Sequence, residues 1–213
     1  MAVTGRDRLL GVALKLFAAR GYAATSVADI QQAAGLAPGS GALYKHFPSK
    51  RALLEAAVAH RIESIVAARE EYDAAAPSGV EQAVRRAGQL IRNNLAQSED
   101  LLRVMLRESD ELADLNEKTW KVITDNAYQR FTDELIASNR AGRTKVDDPE
   151  ATAAVAISSL TYAATLRALT GHRPGDVDDD RFFEAWVHQT VSTLIRNQKP
   201  RTHTTALHQG AIA

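Results

Sequence analysis

Two short helices joined by a glycine-containing turn are predicted in the segment TSVADIQQAAGLAPGSGALYKHFPSK, which runs from Thr25 to Lys50. Ser26 and Asp29 have the spacing of a capping box, so the first helix begins directly after Ser26. Gly35 follows the last apolar residue of this helix and can adopt the left-handed conformation with which helices commonly end. Two helices that cross through a short turn make a helix-turn-helix.

The second short helix has an inward and an outward face. Leu43 and Phe47 are four residues apart and can both face the interior, which leaves Tyr44 and Lys45 on the outer face. Pro48 ends the helix, because the residue before a proline avoids the helical region. Polar groups on the outer face are therefore placed where they could bind a phosphate backbone.

Lys50 lies in the first turn of a long helix that Ser49 is placed to cap. The helix macrodipole disfavours a cation in this turn. Two interpretations are open: an anion is bound nearby, or the lysine is simply solvated, which is the commoner explanation.

Charge is distributed unevenly along the chain. The whole sequence has 26 basic and 26 acidic residues, which argues against a general polyanion binder. Residues 1–60 contain seven basic and three acidic residues, a net charge of +4, and the remainder carries −4. The split places positive charge around the helix-turn-helix, although chance alone also produces differences of this size.

Helical periodicity extends over most of the chain, and no segment has a convincing strand pattern. A first helix from about Thr4 to Arg20 has an apolar stripe that would pack on the helix-turn-helix. One later helix is predicted from about Asp114 to Asn139, and the acidic run Glu108–Glu111 before it is interpreted as a solvated turn. We predict an all-α fold of about nine helices.

Composition argues against several other classes of protein. The chain has no cysteine, which removes disulfides, thiolate nucleophiles and cysteine-ligated metals. Its six histidines lack paired-ligand spacing, and Gly39-Ser40-Gly41 follows no strand as a dinucleotide loop would. We therefore predict no enzyme activity, cofactor or metal. The charged start MAVTGRDRLL and the lack of a long apolar run predict a cytoplasmic protein without a membrane span.

The segments LFAARGYAATSVADIQQAAG and LYKHFPSKRALL resemble the N-terminal DNA-binding domain of the TetR family of bacterial transcriptional repressors. The resemblance covers roughly Arg6 to Leu54 and rests on Ala13, Leu16, Phe17, Gly21, Thr25, Ile30, Ala34, Gly35, Leu43, Tyr44, Phe47, Ser49, Lys50 and Leu54. One feature departs from the family. The family usually has eight residues from the turn glycine through the tyrosine, whereas Gly35 to Tyr44 spans ten, which leaves open the residue at which the recognition helix begins.

The resemblance implies a set of DNA-contacting residues. Thr25 or Ser26 would bind a phosphate through hydroxyl and backbone N–H groups. Tyr44, His46 and Lys50 would hold the DNA backbone, and base edges would be read by Lys45 with the segment Gly39, Ser40, Gly41 and Ala42. The alternatives are simple helix caps for Thr25 and Ser26, a packed ring for Tyr44 and a buried spacer for His46.

The resemblance also implies that the rest of the chain dimerises and binds an effector. The predicted domains are 1–50 for DNA binding, 51–197 for effector binding and dimerisation, and a disordered tail over 198–213. A homodimer would form through helices at about 148–170 and 178–196, unless these faces only pack within one chain. The candidate effector contacts, each of which could instead be core or surface, are Arg103, Met105, Trp120, Tyr128, Phe131 and Tyr162.

These expectations predict a homodimeric repressor that a small-molecule ligand releases from a near-palindromic, double-stranded DNA operator. The first alternative is a helical small-molecule-binding protein or an activator whose DNA binding is weakened or altered by the two-residue insertion before the recognition helix. The second is an α-helical enzyme.

Overall fold

A computed structural model describes residues 5–37, 43–44, 46–73, 79–108, 112–121 and 126–195. Within these ranges the chain forms nine α-helices and one short 3₁₀ helix, so the all-α prediction is confirmed. The helices are α1 (Gly5–Arg20), α2 (Val27–Ala33), α3 (Lys50–Asp73), α4 (Val80–Gln97), α5 (Glu99–Arg107), α6 (Ala113–Trp120), α7 (Asn126–Arg140), α8 (Pro149–Thr170), the 3₁₀ helix (Pro174–Asp176) and α9 (Asp179–Ile195). The predicted tail over 198–213 lies outside the described residues.

Local capping signals place several helix ends where the sequence predicts them. Ser26 caps α2 through a capping box with Asp29, and Gly35 follows the helix with φ of 76°. The Asp148 side chain caps α8, with Pro149 at its first turn, and Gly171 ends the helix with φ of 75°. The stretch predicted as one helix from about Asp114 to Asn139 is described instead as α6 and α7, with residues 122–125 between them outside the described ranges.

The buried apolar residues form two clusters. The first joins α1 and α2 to the N-terminal half of α3, to α5 and to Leu112. The second is built from α4, α7, α8 and α9. The first cluster includes Leu53 and Leu54, so it runs across the domain boundary predicted at residues 50 and 51, and that boundary stays a prediction.

Arg61 ties α3 to the junction between α4 and α5. Its Nε donates to the Ser98 hydroxyl at 2.9 Å, and an Nη donates to the Asn94 carbonyl oxygen at 3.3 Å. The guanidinium is partly buried, and this desolvation lowers the pKa of Arg61. These bonds fix the direction in which α3 leaves the first cluster.

α4 crosses α9 at Gly88, where α4 has no side chain and the rings of α9 pack directly on its backbone. A Cβ atom at Gly88 would lie 2.8 Å from Cη2 of Trp186 and 2.9 Å from Cε2 of Phe183. The Trp186 ring is fixed from its other side, because its Nε1 donates to the carbonyl oxygen of Ala156 in α8 at 2.8 Å. This contact positions three helices of the second cluster. None of the helices in the described ranges is both long and apolar enough to span a membrane.

Candidate nucleic-acid interface and ligand cavity

The turn after α2 presents Tyr44 to solvent. Leu43 and Phe47 are buried in the first cluster, as predicted, and this leaves the Tyr44 side chain 55% exposed. His46 is also exposed, so the structure does not place it as a buried spacer. The predicted base-reading residues lie outside the described ranges; they are Gly39, Ser40, Gly41, Ala42 and Lys45.

Thr25 and Ser26 differ in their surroundings although they are adjacent. The Thr25 side chain is fully buried, and its hydroxyl donates to the carbonyl oxygen of Gly21 at 2.8 Å. This hydroxyl is thus used inside the protein in this conformation, and the phosphate contact of Thr25 stays a prediction. Ser26 is exposed, and its Oγ accepts from the Asp29 N–H at 3.1 Å and donates to the Asp29 carboxylate at 2.6 Å. These Ser26 hydrogen bonds lower the pKa of the Asp29 carboxyl, so negative charge lies beside this predicted phosphate contact.

Lys50 is hydrogen-bonded to the loop between α1 and α2. Its Nζ donates to the carbonyl oxygens of Tyr22 at 2.8 Å, Thr25 at 3.1 Å and Ala23 at 3.4 Å. The same atom lies 4.3 Å from the centroid of the Tyr22 ring, a favourable cation–π distance. An ammonium has three donors, and all three are used here by carbonyl oxygens of the protein, while the DNA contact expected of Lys50 stays a prediction. Neither a nearby bound anion nor simple solvation, the two interpretations of Lys50 from the sequence, describes these contacts with the protein's own backbone.

The C-terminal end of α5 also holds this loop, together with the last turn of α1. The Glu108 carboxylate accepts from the Tyr22 backbone N–H at 3.0 Å, and Arg107 donates to the Ala18 carbonyl oxygen at 3.1 Å. The sequence interpretation of Glu108 as part of a solvated turn is wrong for this residue, because its side chain is half-buried and binds a backbone N–H 86 residues away in the chain. The structure thus joins α5 directly to the segment that leads into the helix-turn-helix.

A cavity of about 340 Å³ lies between α4, α8, α9 and the 3₁₀ helix. Small and apolar side chains form much of its wall, and three arginines, two aspartates and Asn93 form the polar part. The main lining residues are Leu95, Leu160, Ala163, Ala164, Phe182 and Phe183 on the apolar side, and Arg92, Arg167, Arg173, Asp179 and Asp180 on the polar side.

The predicted effector residues do not line this cavity. Met105 is buried in the first cluster and Trp120 packs against it, whereas Phe131 is buried in the second. Tyr128 shares a hydrogen bond of 3.0 Å with the Ser158 hydroxyl. Two of the six candidates are therefore core residues, and the effector role of all six stays a prediction.

Arg103 and Tyr162 complete this set. Arg103 Nε donates to the Ala168 carbonyl oxygen at 2.8 Å, and an Nη donates to the Glu99 carboxylate at 2.9 Å. This arginine thereby joins α5 to the end of α8. Tyr162 is exposed on the surface of α8. The effector candidates from the sequence are mostly large side chains. The room in this cavity comes instead from small residues, the alanines of α8.

Asp179 is the centre of the charged part of the cavity. Its carboxylate accepts from Arg167 and from Arg173, each at 2.9 Å, and these guanidiniums, Arg173 foremost, lower the pKa of Asp179. Arg92 donates to Asp180 at 2.7 Å, and its guanidinium carbon lies 4.7 Å from the centroid of the Phe183 ring. The Arg92 guanidinium thus lies beside the aromatic part of the wall.

α8 also carries an exposed apolar stripe. Val155, Tyr162 and Leu169 are seven residues apart, so they lie on one face, and they are 73%, 62% and 52% exposed. Ile195, the last residue of α9, is exposed as well. Large apolar side chains in a row on one helix are typical of a surface that another molecule covers.

Comparison with known proteins gives two family matches that together span most of the chain. Residues 9–57 match the family described as "Bacterial regulatory proteins, tetR family". Residues 81–197 match the family described as "AefR-like transcriptional repressor, C-terminal domain". The second match alone covers more than half of the sequence.

Two curated relatives are similar over a short segment. The HTH-type transcriptional repressors KstR2 of Rhodococcus jostii and of Mycolicibacterium smegmatis are each 50% identical over 50 residues. That segment is 24% of this chain and 24% and 23% of the relatives, so the chain matches them over about a quarter of their length.

Solved structures show the same fold over nearly the whole chain. The ketosteroid transcriptional regulator KstR2 of Mycobacterium tuberculosis superposes with a TM-score of 0.68 at 18% identity, covering 92% of this chain and 97% of that one. The fatty acid degradation regulator FadR of Bacillus halodurans gives 0.67 at 18% identity, covering 90% and 96%. At such identities these similarities establish the fold alone.

Proposed function

The chain belongs to the TetR family of bacterial regulatory proteins, and from this premise we propose that it is a homodimeric repressor that a small ligand releases from its operator. This is a family of transcriptional regulators rather than of enzymes. The observation that carries the proposal is the exposed Tyr44 between the buried Leu43 and Phe47, on a segment with net positive charge. Such a protein acts on the bacterial chromosome, so we also propose a cytoplasmic location.

Tyr44 and His46 are proposed to bind the DNA backbone. Both side chains are exposed at the end of the helix-turn-helix, and phosphate contacts there position the protein without reading the sequence. Base readout is proposed for Lys45 and for residues 39–42. Ser26 keeps a proposed phosphate contact through the N-terminus of α2, whereas Lys50 is proposed to support the loop behind the interface rather than to touch DNA.

We expect Tyr44→Ala to lower affinity for operator DNA by about tenfold, which corresponds to about 1.4 kcal/mol and to one good hydrogen bond. The loss should be similar for all sequences, because the ring is proposed to contact phosphate. Fluorescence anisotropy with the DNA upstream of the gene, at several fixed salt concentrations, measures it. The thermal midpoint should not change, because the ring is exposed.

Tyr128→Phe is the matched control, since it removes a tyrosine hydroxyl from a site far from the helix-turn-helix in sequence, where it bonds Ser158. Its DNA affinity should equal that of the wild type. Absence of binding to any upstream fragment at low salt would refute repression by operator binding. That outcome would favour the alternative of a small-molecule-binding protein in which the insertion before the recognition helix has weakened DNA binding.

Dimerisation is proposed to cover the stripe on α8 made of Val155, Tyr162 and Leu169. Together with the end of α9 it offers an apolar face that a second copy can match by two-fold symmetry. Two helix-turn-helix heads held at a fixed separation would contact half-sites about one helical turn or a multiple apart, ~34–36 Å per turn. A near-palindromic operator follows from this symmetry.

We expect Tyr162→Glu to convert the dimer to a monomer, because two glutamates near a two-fold axis repel and lose apolar burial. Size-exclusion chromatography with light scattering measures the mass, and operator affinity should fall with it. Val66→Glu is the control, since Val66 is an exposed apolar residue on α3. A wild-type protein that is monomeric at micromolar concentration would contradict this proposal.

The cavity is proposed as the effector site because a connected set of contacts joins it to the DNA-binding segment. Arg167 lines the cavity, and its Nε lies 3.8 Å from Glu99 at the beginning of α5. The other end of α5 is hydrogen-bonded to the last turn of α1 through Arg107 and to the α1–α2 loop through Glu108. A ligand that binds better to one position of α5 than to another would shift the loop and lower affinity for DNA.

A further inference from the structure

We propose that the cavity between α4, α8 and α9 takes an organic monocarboxylate with a compact apolar body, its carboxylate bound by Arg167 and Arg92. This ligand class is that of the effector site, so it rests on the proposed function. It is carried by the charges, the hydrogen bonding and the shape of the cavity wall.

The cavity wall has one more positive than negative side chain. Three arginines line the cavity against two carboxylates, Asp179 and Asp180. A third carboxylate, Glu99, lies 3.8 Å from Arg167 Nε, but it is hydrogen-bonded at 2.9 Å to a further arginine, Arg103, so the surplus remains. A ligand with a single negative charge would bring this wall to neutrality, whereas a neutral ligand would leave the surplus. A phosphate monoester or a dicarboxylate would bring more negative charge than the positive surplus of the wall, so charge favours a monocarboxylate.

One guanidinium lacks a full set of partners. Arg167 Nε is buried and makes no hydrogen bond to any described residue, since its neighbour Glu99 Oε2 is at 3.8 Å, beyond hydrogen-bond distance. An unsatisfied buried donor is costly, and charged groups are the most costly of these. A ligand oxygen that reached this guanidinium would supply the missing acceptor, and the planar fork of arginine suits a carboxylate.

Arg92 can exchange its partner at low cost. The Asp180 side chain that it binds at 2.7 Å is 86% exposed, and exposed ion pairs contribute little to stability. A ligand carboxylate in a more enclosed position could replace Asp180 on this guanidinium. Asp179 is less replaceable, because both Arg167 and Arg173 hold it.

The apolar wall sets the body of the ligand. Leu160, Ala163 and Ala164 of α8 face the cavity together with Phe182 and Phe183 of α9. A volume of about 340 Å³ is at the small end of the ~300–1,000 Å³ typical of small-molecule sites. One or two rings, or a short chain, therefore fit, and alanines rather than larger residues make the room.

Direct binding to the full-length protein tests this ligand class. The probes are 4-phenylbutyrate and 1-naphthylacetate, each beside its neutral primary amide, measured by calorimetry and by the shift of the thermal midpoint. We expect at least one carboxylate to bind and its amide to bind about tenfold or more weakly, because a charge-assisted hydrogen bond is lost. Equal binding of acid and amide, or no binding of either acid, would overturn the proposal.

Variants of the wall locate the site. Arg167→Gln should weaken the carboxylate by about tenfold or more and leave its amide unchanged, whereas Ala164→Leu should block both by filling the cavity. Arg85→Gln is the matched control, since Arg85 also joins α4 to α9, through Glu184 at 2.9 Å, but does not line the cavity. If the carboxylate binds Arg167→Gln and Ala164→Leu as tightly as the wild type, the ligand binds elsewhere and this site is refuted.

Operator release is measured separately, so the two proposals can fail separately. A carboxylate that binds in the cavity but leaves DNA affinity unchanged would reject the effector role and keep the ligand class. A protein that binds its operator but neither acid would reject the ligand class and keep the repressor function.

Discussion

Replacing Gly88 with alanine is expected to lower the free energy of unfolding by about 2–4 kcal/mol, a large effect for a single methyl group. The added Cβ would lie 2.8 Å from Trp186 Cη2 and 2.9 Å from Phe183 Cε2, closer than side-chain carbons pack. Trp186 cannot move aside freely, because its Nε1 donates to Ala156 and its ring is stacked with Phe183 at a centroid distance of 6.0 Å. Relief therefore requires α4 to move away from α9.

Gly11→Ala is the control for this substitution, and it should have the opposite sign. Gly11 lies inside α1, and a Cβ atom added there would meet no neighbouring atom within 4 Å, so alanine gains about 0.5–1 kcal/mol of helix preference. Urea unfolding followed by circular dichroism measures both variants. Trp186→Phe combined with Gly88→Ala should recover part of the loss, because it removes ring atoms that the methyl group meets. Wild-type stability of Gly88→Ala would show that α4 and α9 do not approach as described.

Local features of the fold could be predicted from sequence because their partners are close in the chain. The capping box of Ser26 and Asp29 spans four residues, and the spacing of Leu43, Tyr44 and Phe47 assigns faces within about one turn. Gly171 in the left-handed region ends α8 for the same local reason. These signals establish helices, their ends and their buried faces.

Features that depend on distant partners could not be predicted this way. Gly88 looks unfavourable within a helix, and only the ring of Trp186, far along the chain, explains it. Glu108 belongs to an acidic run, yet its carboxylate binds a backbone N–H in the α1–α2 loop. Backbone groups carry no residue-specific signal in a sequence, so neither this bond nor the carbonyls around Lys50 could be anticipated.

The ligand cavity could not be predicted for a related reason. Residues such as Tyr128 and Phe131 are candidates from sequence because large polarisable side chains often contact ligands. A cavity forms where side chains are small, however, and Ala163 and Ala164 have no feature in sequence that distinguishes them from close helix packing. The arginines that line it come from α4, α8 and the loop before the 3₁₀ helix, and only the fold brings them together.

Replacing Lys50 with methionine is expected to destabilise the DNA-binding segment by about 2–4 kcal/mol. Methionine keeps much of the apolar stem but loses hydrogen bonds to Tyr22 and Thr25 at 2.8 and 3.1 Å and the contact with the Tyr22 ring. Hydrogen bonds from a charged donor contribute about 1.5–3 kcal/mol and a cation–π contact adds up to ~2, partly offset by the lysine desolvation that is no longer required. Hydrogen exchange of the amides in residues 21–26 should accelerate, because the loop would open more often.

Lys15→Met is the matched control, since Lys15 is an exposed lysine on α1, and its stability should stay within about 0.5 kcal/mol of the wild type. The salt dependence of DNA binding separates the two roles considered for Lys50. A lysine that neutralises a phosphate contributes about one unit to the slope of log K against log salt, so its loss would reduce the slope. A lysine that supports the loop leaves the slope unchanged while affinity falls at every salt concentration, because fewer molecules present an ordered helix-turn-helix. We expect the unchanged slope, since the three N–H donors of Lys50 already bind carbonyl oxygens behind the surface that Tyr44 presents.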